Sequence, residues 1–183
     1  AILAFFAAVF LMQMSHGPYY AFYSIFMEQQ DYSKSLIGWL WALGVLAEVA
    51  IFLVMHQLLE RYGARKVLIA SLLLAALRWL MIGYAAQSLP LLLLAQLLHA
   101  ASFGTFHAAA IHLVHHYFTG RLQGRGQALY SSISFGAGGA VGALTSGVIW
   151  ETLGAGPSFA VAGLISALGA AVVWLMIDRA HDH

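Results

Sequence analysis

Six long apolar runs alternate with short polar breaks along the 183 residues. A membrane-spanning helix needs about 20 consecutive, mostly apolar residues. The runs at roughly 2–27, 35–57, 67–86, 90–115, 126–150 and 157–177 each meet that length. The breaks read EQQDYSK, LLERYGARK, QSLP, YFTGRLQGR and ETLGAGP. Connections this short join antiparallel neighbours in a helical bundle. No run alternates with a period of two, which excludes a transmembrane β-barrel. The pattern predicts an all-α integral membrane protein, one six-helix bundle over residues 1–183.

Composition supports the membrane assignment. The chain is 62% hydrophobic and 8% charged, with a mean hydropathy of +0.83. Soluble domains carry about 25% charged residues, so 15 charges cannot make a wet surface here. The net charge of +1 gives no reason to expect nucleic acid as a partner. No cysteine is present, so nothing can be read about disulfides. The chain starts with alanine inside an apolar run and lacks the basic start and cleavage site of a signal peptide. It is expected to be part of a longer protein.

Charge sets the expected orientation, because cytoplasmic loops of membrane proteins are rich in Lys and Arg. Arg61, Arg65 and Lys66 lie in the second break, Arg121 and Arg125 in the fourth, and Arg179 in the tail. Opposite them stands only Lys34. The second and fourth loops and both chain ends are therefore expected on the cytoplasmic side.

Residues 36–55, LIGWLWALGVLAEVAIFLVM, are apolar or glycine except for Glu48. An unpaired carboxylate there is costly, so it needs a partner, a proton or a function. Arg78 is the other formally charged residue deep within a run, and His99 sits near the middle of the fourth. Three ionisable residues on successive helices thus share one depth. They are expected to face one another or a water-filled cavity. A static ion pair that fixes helix register is the rival reading. The functional reading is proton coupling: burial favours a protonated carboxyl, a neighbouring cation favours the ionised one, and changing access shifts the balance.

Other side chains widen the candidate site. His107 follows His99 by eight residues, about 80° round the helix, so both can border one cavity. His16, Tyr20 and Tyr23 share one face of the first run, and Trp41, Gly44 and Glu48 one face of the second. A polar, aromatic face beside a charged one suits a binding site; helix packing alone is its rival. HLVHH, with His112, His115 and His116, matches the H-x-x-H-H box of membrane di-iron desaturases, but such enzymes need several boxes and only His56 stands near that end on another run. Gly17-Pro18 removes a backbone donor and is expected to loosen the first helix. In SFGAGGAVGALTSG, Ser134, Gly138 and Gly142 form one four-residue repeat and Gly139, Ala143 and Gly147 another, both expected to allow close helix contact.

Six spans with inside termini resemble the carboxyl-terminal half of a major facilitator superfamily transporter, a twelve-helix fold. ERYGARK resembles that superfamily's loop motif G-x-x-x-D-R-x-G-R-R: Glu60, Arg61, Gly63 and Arg65 match, with Glu for Asp and His56 in place of the first Gly. The stretch SHGPYYAFYSIFMEQQDYSKSLIGWLWALGVLAEVAIF resembles the phenylpropionate permease branch, which is related to lactose permease. The resemblance implies that Glu48, Arg78 and His99 correspond to a Glu–Arg–His set used there in substrate binding and proton coupling. Where the permease has a second carboxylate one turn after the His, this chain has Ser102.

The expected function is therefore proton-coupled symport of a small organic solute. The resemblance implies an aromatic carboxylic acid such as a phenylpropionate, with a sugar or nucleoside as the alternative. Proton coupling is assigned to Glu48, Arg78 and His99, and substrate contact to His16, Tyr20, Tyr23, Trp41, Arg78 and His107. No catalytic residue, metal ligand or cofactor is expected, the proton being the coupling ion. The expected partners are the substrate, membrane lipid and a missing amino-terminal six-helix half, in the inner membrane of a bacterium. A membrane metalloenzyme using HLVHH and a non-transporting scaffold are the readings from other classes.

Overall fold

The structure, a computed structural model, describes residues 1–177; the tail with Arg179 lies outside the described residues. Six helical stretches are long and apolar enough to cross a membrane: Ile2–Gln29, Lys34–Phe52, Ala64–Tyr84, Leu89–Tyr117, Gly120–Leu153 and Ala155–Met176. We refer to them as the first to sixth spans. Together they make the expected all-α membrane bundle.

Each boundary has a local cause. Ser33 caps the second span by accepting a bond from the Leu36 amide at 3.3 Å. The first span steps out of regular helix at His16, directly before Gly17-Pro18. Pro18 lies in the first turn of the new segment, where its missing N–H costs nothing. The second span stops at Phe52, short of the expected 57, and Leu53-Val54 turn the chain into a separate helix, Met55–Tyr62. The fifth span begins at Gly120, ahead of the expected 126, because RLQGRGQ is already helical.

The third and sixth spans pack along their lengths, and the first packs on the sixth and the fifth. The second lies mainly on the fourth, which in turn contacts the third. Two hydrophobic clusters result. One gathers Phe5, Met12, Leu68, Leu72, Phe106 and Val114. The other gathers Tyr19, Phe26, Leu40, Trp79, Ile82 and Phe159. Between them runs a buried polar layer of Ser15, His16, Arg78, Gln96, His99 and Ser102.

The first and fifth spans touch backbone to backbone. A Cβ at Gly17 would overlap the Gly142 carbonyl, and one at Gly142 would overlap Met14. A Cβ at Gly138 would lie 2.7 Å from the Phe10 carbonyl oxygen. Ser134, Gly138 and Gly142 therefore form the close-contact stripe. The other repeat does not: Gly147 meets nothing within 4 Å and Ala143 is exposed. Only Gly139 of that repeat faces the first span, where a Cβ would meet Gln13 at an ordinary 3.9 Å; Ala143 and Gly147 lie off the contact.

The loop motif divides into separate roles. Gly63 has φ 79° and ψ 152°, a backbone state that favours glycine, and it joins the short helix to the third span. Arg65 is buried and donates to the Ile177 carbonyl at 2.6 Å and the Trp174 carbonyl at 2.7 Å. It thereby satisfies carbonyls at the end of the sixth span, which helices otherwise leave unpaired. Glu60 faces His56 at 3.1 Å on the surface, and Arg61 lies 5.4 Å from the Tyr62 ring centre.

Candidate functional site at the buried polar layer

Glu48 and His99 meet between the second and fourth spans. Glu48 Oε2 lies 3.6 Å from His99 Nε2, and both side chains are largely buried. Two glycines make room for this. Gly44, one turn before Glu48, sits against Gln96 and His99. Gly104 faces the Glu48 stem so closely that a Cβ there would lie 2.9 Å from Glu48 Cγ. Between His99 and Gly104 the fourth span opens into a π-helical turn, Ala100–Gly104. Such turns recur at functional positions in helices.

Arg78 is fully buried on the third span, with a different set of neighbours. Its Nε donates to the Ala95 carbonyl at 2.9 Å and its Nη2 to Gln96 Oε1 at 3.3 Å. The guanidinium lies 4.1 Å from the Tyr19 ring centre and 4.5 Å from that of Trp79, within cation–π range. No ion pair joins Arg78 to Glu48 among the described residues. Gln96 Oε1 also accepts from the Tyr19 hydroxyl at 2.9 Å. Two donors on one oxygen fix the amide orientation, so Gln96 Nε2 is a spare donor, as are Arg78 Nη1 and the Tyr23 hydroxyl.

The histidines cluster round Phe103. Its ring stacks on His99 at 5.0 Å and 13°, and touches His16 at 4.9 Å and His107 at 4.1 Å. His16 is completely buried, and its Nδ1 donates to the Met12 carbonyl at 2.9 Å. A carbonyl can only accept, so the neutral His16 ring carries its lone pair on Nε2, which has no protein partner. His107 Nδ1 bonds the Tyr130 hydroxyl on the fifth span, and the ring stacks on Phe135 at 5.0 Å.

The aromatic candidates separate by exposure. Tyr23 is buried beside Tyr19. Tyr20 is half exposed and stacks on Trp41 at 6.3 Å and 18°. Trp41 Nε1 donates to Ser24 Oγ at 3.0 Å. The site thus has a rear layer of Arg78, Gln96, Tyr19, Tyr23 and Trp79, and a front of Glu48, His99, Phe103, Tyr20 and Trp41. Tyr19, Gln96, Phe103 and Tyr130 were not among the sequence candidates. Gln96 could have been found from its place one turn before His99 on the same helix face; the rings carry no such signal in a chain so rich in aromatics.

At the HLVHH segment, His115 bonds Gln127 at 2.8 Å and His116 packs on Tyr117. Among the described residues no group of three or more His, Cys, Asp or Glu side chains is placed to hold a metal ion.

Six apolar helices of spanning length, with ionisable groups buried among them, mark an integral membrane protein. Residues 1–161 match the MFS_1 like family, and the chain belongs to that family. It is 38% identical over 156 residues to a protein of Escherichia coli (strain K12) named "Probable 3-phenylpropionic acid transporter", across 83% of this chain and 40% of that protein. It is 28% identical over 155 residues to the "Putative nucleoside transporter YegT" of the same organism, across 82% of this chain and 36% of that one. The chain therefore spans well under half the length of these relatives. No solved structure matches it. Family and relatives both point to transport and not to enzymatic catalysis.

Proposed function

We propose that the chain is the carboxyl-terminal half of a proton-coupled symporter for a small aromatic carboxylic acid, such as a phenylpropionate. One observation carries this reading: Glu48 and His99 stand 3.6 Å apart beside a half-exposed aromatic surface. A carboxyl and an imidazole at that separation need only a small approach to share a proton. Protonation removes the carboxylate's charge, which lowers the cost of moving it through an apolar interior. The substrate ring packs against Tyr20, Trp41 and Phe103. Its carboxylate takes the spare donors of Arg78, Gln96 and Tyr23, and arginine holds its charge on burial. The relative named for 3-phenylpropionic acid supports this substrate class.

In this reading the missing amino-terminal half supplies the other wall, and the two halves rock about the mid-membrane site. The protein resides in a bacterial inner membrane with the Arg61 and Arg121 loops and both chain ends in the cytoplasm. A second reading takes a neutral solute, a nucleoside or sugar. It is favoured by the neutral groups that surround Arg78 and by the relative named as a nucleoside transporter. Uptake by the full-length protein in vesicles with an imposed proton gradient tests both. Gradient-driven uptake of the aromatic acid in preference to nucleosides and sugars is expected. Uptake indifferent to the gradient would defeat the coupling, and a preference for neutral solutes would establish the second reading.

A further inference from the structure

Phe103 stands between two proton-binding groups on one helix. Its ring stacks on His99, which meets Glu48, and packs against His107 at 74° with ring centres 4.1 Å apart. His107 follows His99 by eight residues, roughly two helical turns closer to the cationic end of the bundle with Arg61 and Arg121. The π turn Ala100–Gly104 lies between them. A π turn takes more residues per turn than an α turn, so it holds His107 back towards the His99 face, and one ring reaches both. Ser102 and Thr105 brace the turn from within, donating to the Leu98 carbonyl at 2.8 Å and the Ala101 carbonyl at 2.7 Å. Their hydroxyls therefore do not bridge the two histidines.

Each histidine has a ring nitrogen to spare. His99 Nδ1 and His107 Nε2 are buried with no protein partner. His107 Nδ1 is engaged by the Tyr130 hydroxyl of the fifth span. A proton taken at Nε2 leaves Nδ1–H donating to the Tyr130 oxygen, which steadies the imidazolium. The other ionisable groups facing the cluster are His16, Tyr19 and Tyr20 of the first span and Arg78 of the third, whose charge acts on His16 and His99. A proton moves only between groups within hydrogen-bond reach, and the Phe103 ring offers neither donor nor acceptor. We infer that Phe103 is a gate between the Glu48–His99 pair, where the proton is loaded, and His107, its next station. The inference rests on the proton-coupled reading above. The substrate ring that packs on Phe103 displaces it. The pair then gives up one proton, and the neutral His107 imidazole gains it at Nε2; no other bond changes. Proton movement is thereby tied to substrate binding.

The full-length protein tests this, reconstituted in vesicles that hold a pH-sensitive dye and read against protein-free vesicles under an imposed proton gradient. The unaltered protein should admit protons only when phenylpropionate or a nucleoside is added. Phe103→Ala should admit them without either, several-fold faster than the unaltered protein. Phe103→Ala combined with His107→Leu should be tight again, because the path has lost its next station. A tight Phe103→Ala protein would overturn the gate, and a double variant that leaks as freely as the single one would overturn the route through His107. Should Phe103→Ala fail to fold, Tyr130→Phe keeps the ring and removes only the hydroxyl that engages His107. It should slow substrate-driven proton entry and leave exchange of labelled for unlabelled substrate unchanged. Unaltered proton entry overturns the inference, as does loss of entry and exchange together, which would make Tyr130 a packing residue. The unaltered protein separates the two readings. If no solute drives protons in, coupling itself fails and the gate with it; if one does and Phe103→Ala stays tight, only the gate fails.

Discussion

The guanidinium of Arg78 lies 4.1 Å from the centre of the Tyr19 ring, and Gln96 ties the two together by accepting a bond from each. This places a fixed cation behind the aromatic surface, one layer from the carboxylate of Glu48. Within the described residues the charge is met by a ring face, an amide oxygen and a carbonyl, not by an acid. A buried cation with only neutral ligands is expensive, and the spare donors on Arg78 and Gln96 mark where an anion would repay that cost.

Glu48 is the first residue to test. Glu48→Gln keeps the shape and removes the titratable proton. The full-length variant is expected to lose accumulation of substrate against its gradient and to retain exchange of labelled for unlabelled substrate. Gradient-driven accumulation by the variant would make Glu48 a packing residue held by His99 and Gly104.

The glycine stripe gives a contrast within one helix. Gly142→Ala drives a methyl group into the Met14 backbone, which has no flexible end to yield. Overpacking of this kind costs about 1–3 kcal/mol. Gly147→Ala meets nothing within 4 Å and should be neutral or slightly stabilising, since alanine is the better helix former by about 1 kcal/mol. Thermal unfolding of both variants in detergent checks the order. Equal effects would mean that the first and fifth spans do not touch at Gly142.

That contrast also shows what the sequence could and could not convey. Six spans were legible because hydropathy is a long-range average that a membrane enforces on every spanning helix. Their ends were less so. MHQLLERY continues the apolar count of the second span, yet it breaks away at Leu53 as a separate helix that lays Met55, Leu58 and Leu59 on the core and leaves His56, Gln57 and Glu60 exposed. RLQGRGQ looks like loop because it is polar, although helices extend freely beyond an apolar layer. Both small-residue repeats had the spacing for packing, and spacing alone cannot say which face a neighbour occupies. In the site, Glu48 and His99 were found because ionisable residues are conspicuous in an apolar run. Gln96 and Tyr19, which hold Arg78, carry no charge and did not stand out.

Topology follows from the cationic end. The start of the first span lies at that same end, where Phe5 contacts Tyr117 and Phe6 contacts Phe118. Cysteines introduced one at a time at Gln57 and Gln123 of the full-length protein should resist an impermeant thiol reagent in intact cells and react after permeabilisation. Reaction in intact cells would invert the orientation derived from the Lys and Arg distribution. Gln57 and Gln123 are chosen because both are exposed and neither needs a glycine backbone.

Arg78 decides between the two substrate classes. Arg78→Lys keeps a positive charge and loses the planar fork, so a lysine cannot serve Ala95, Gln96 and a carboxylate together. If Arg78 binds a substrate carboxylate, the variant should weaken an aromatic acid more than the matching amide or alcohol. The difference should approach about 1.5–3 kcal/mol, the worth of a hydrogen bond to a charged group. Gln96→Leu should act in the same direction but less strongly, because it removes a neutral donor and frees Arg78 Nη2 and the Tyr19 hydroxyl from their shared acceptor. If Arg78 instead acts on Glu48, the field of the cation is what matters, and acid and amide should suffer alike while the pH profile of uptake moves. The geometry favours the anchoring role, since Glu48 meets His99 while the spare donors belong to Arg78 and Gln96. Equal losses for acid and amide, together with a moved pH profile, would remove the carboxylate anchor and leave the neutral solute as the substrate class.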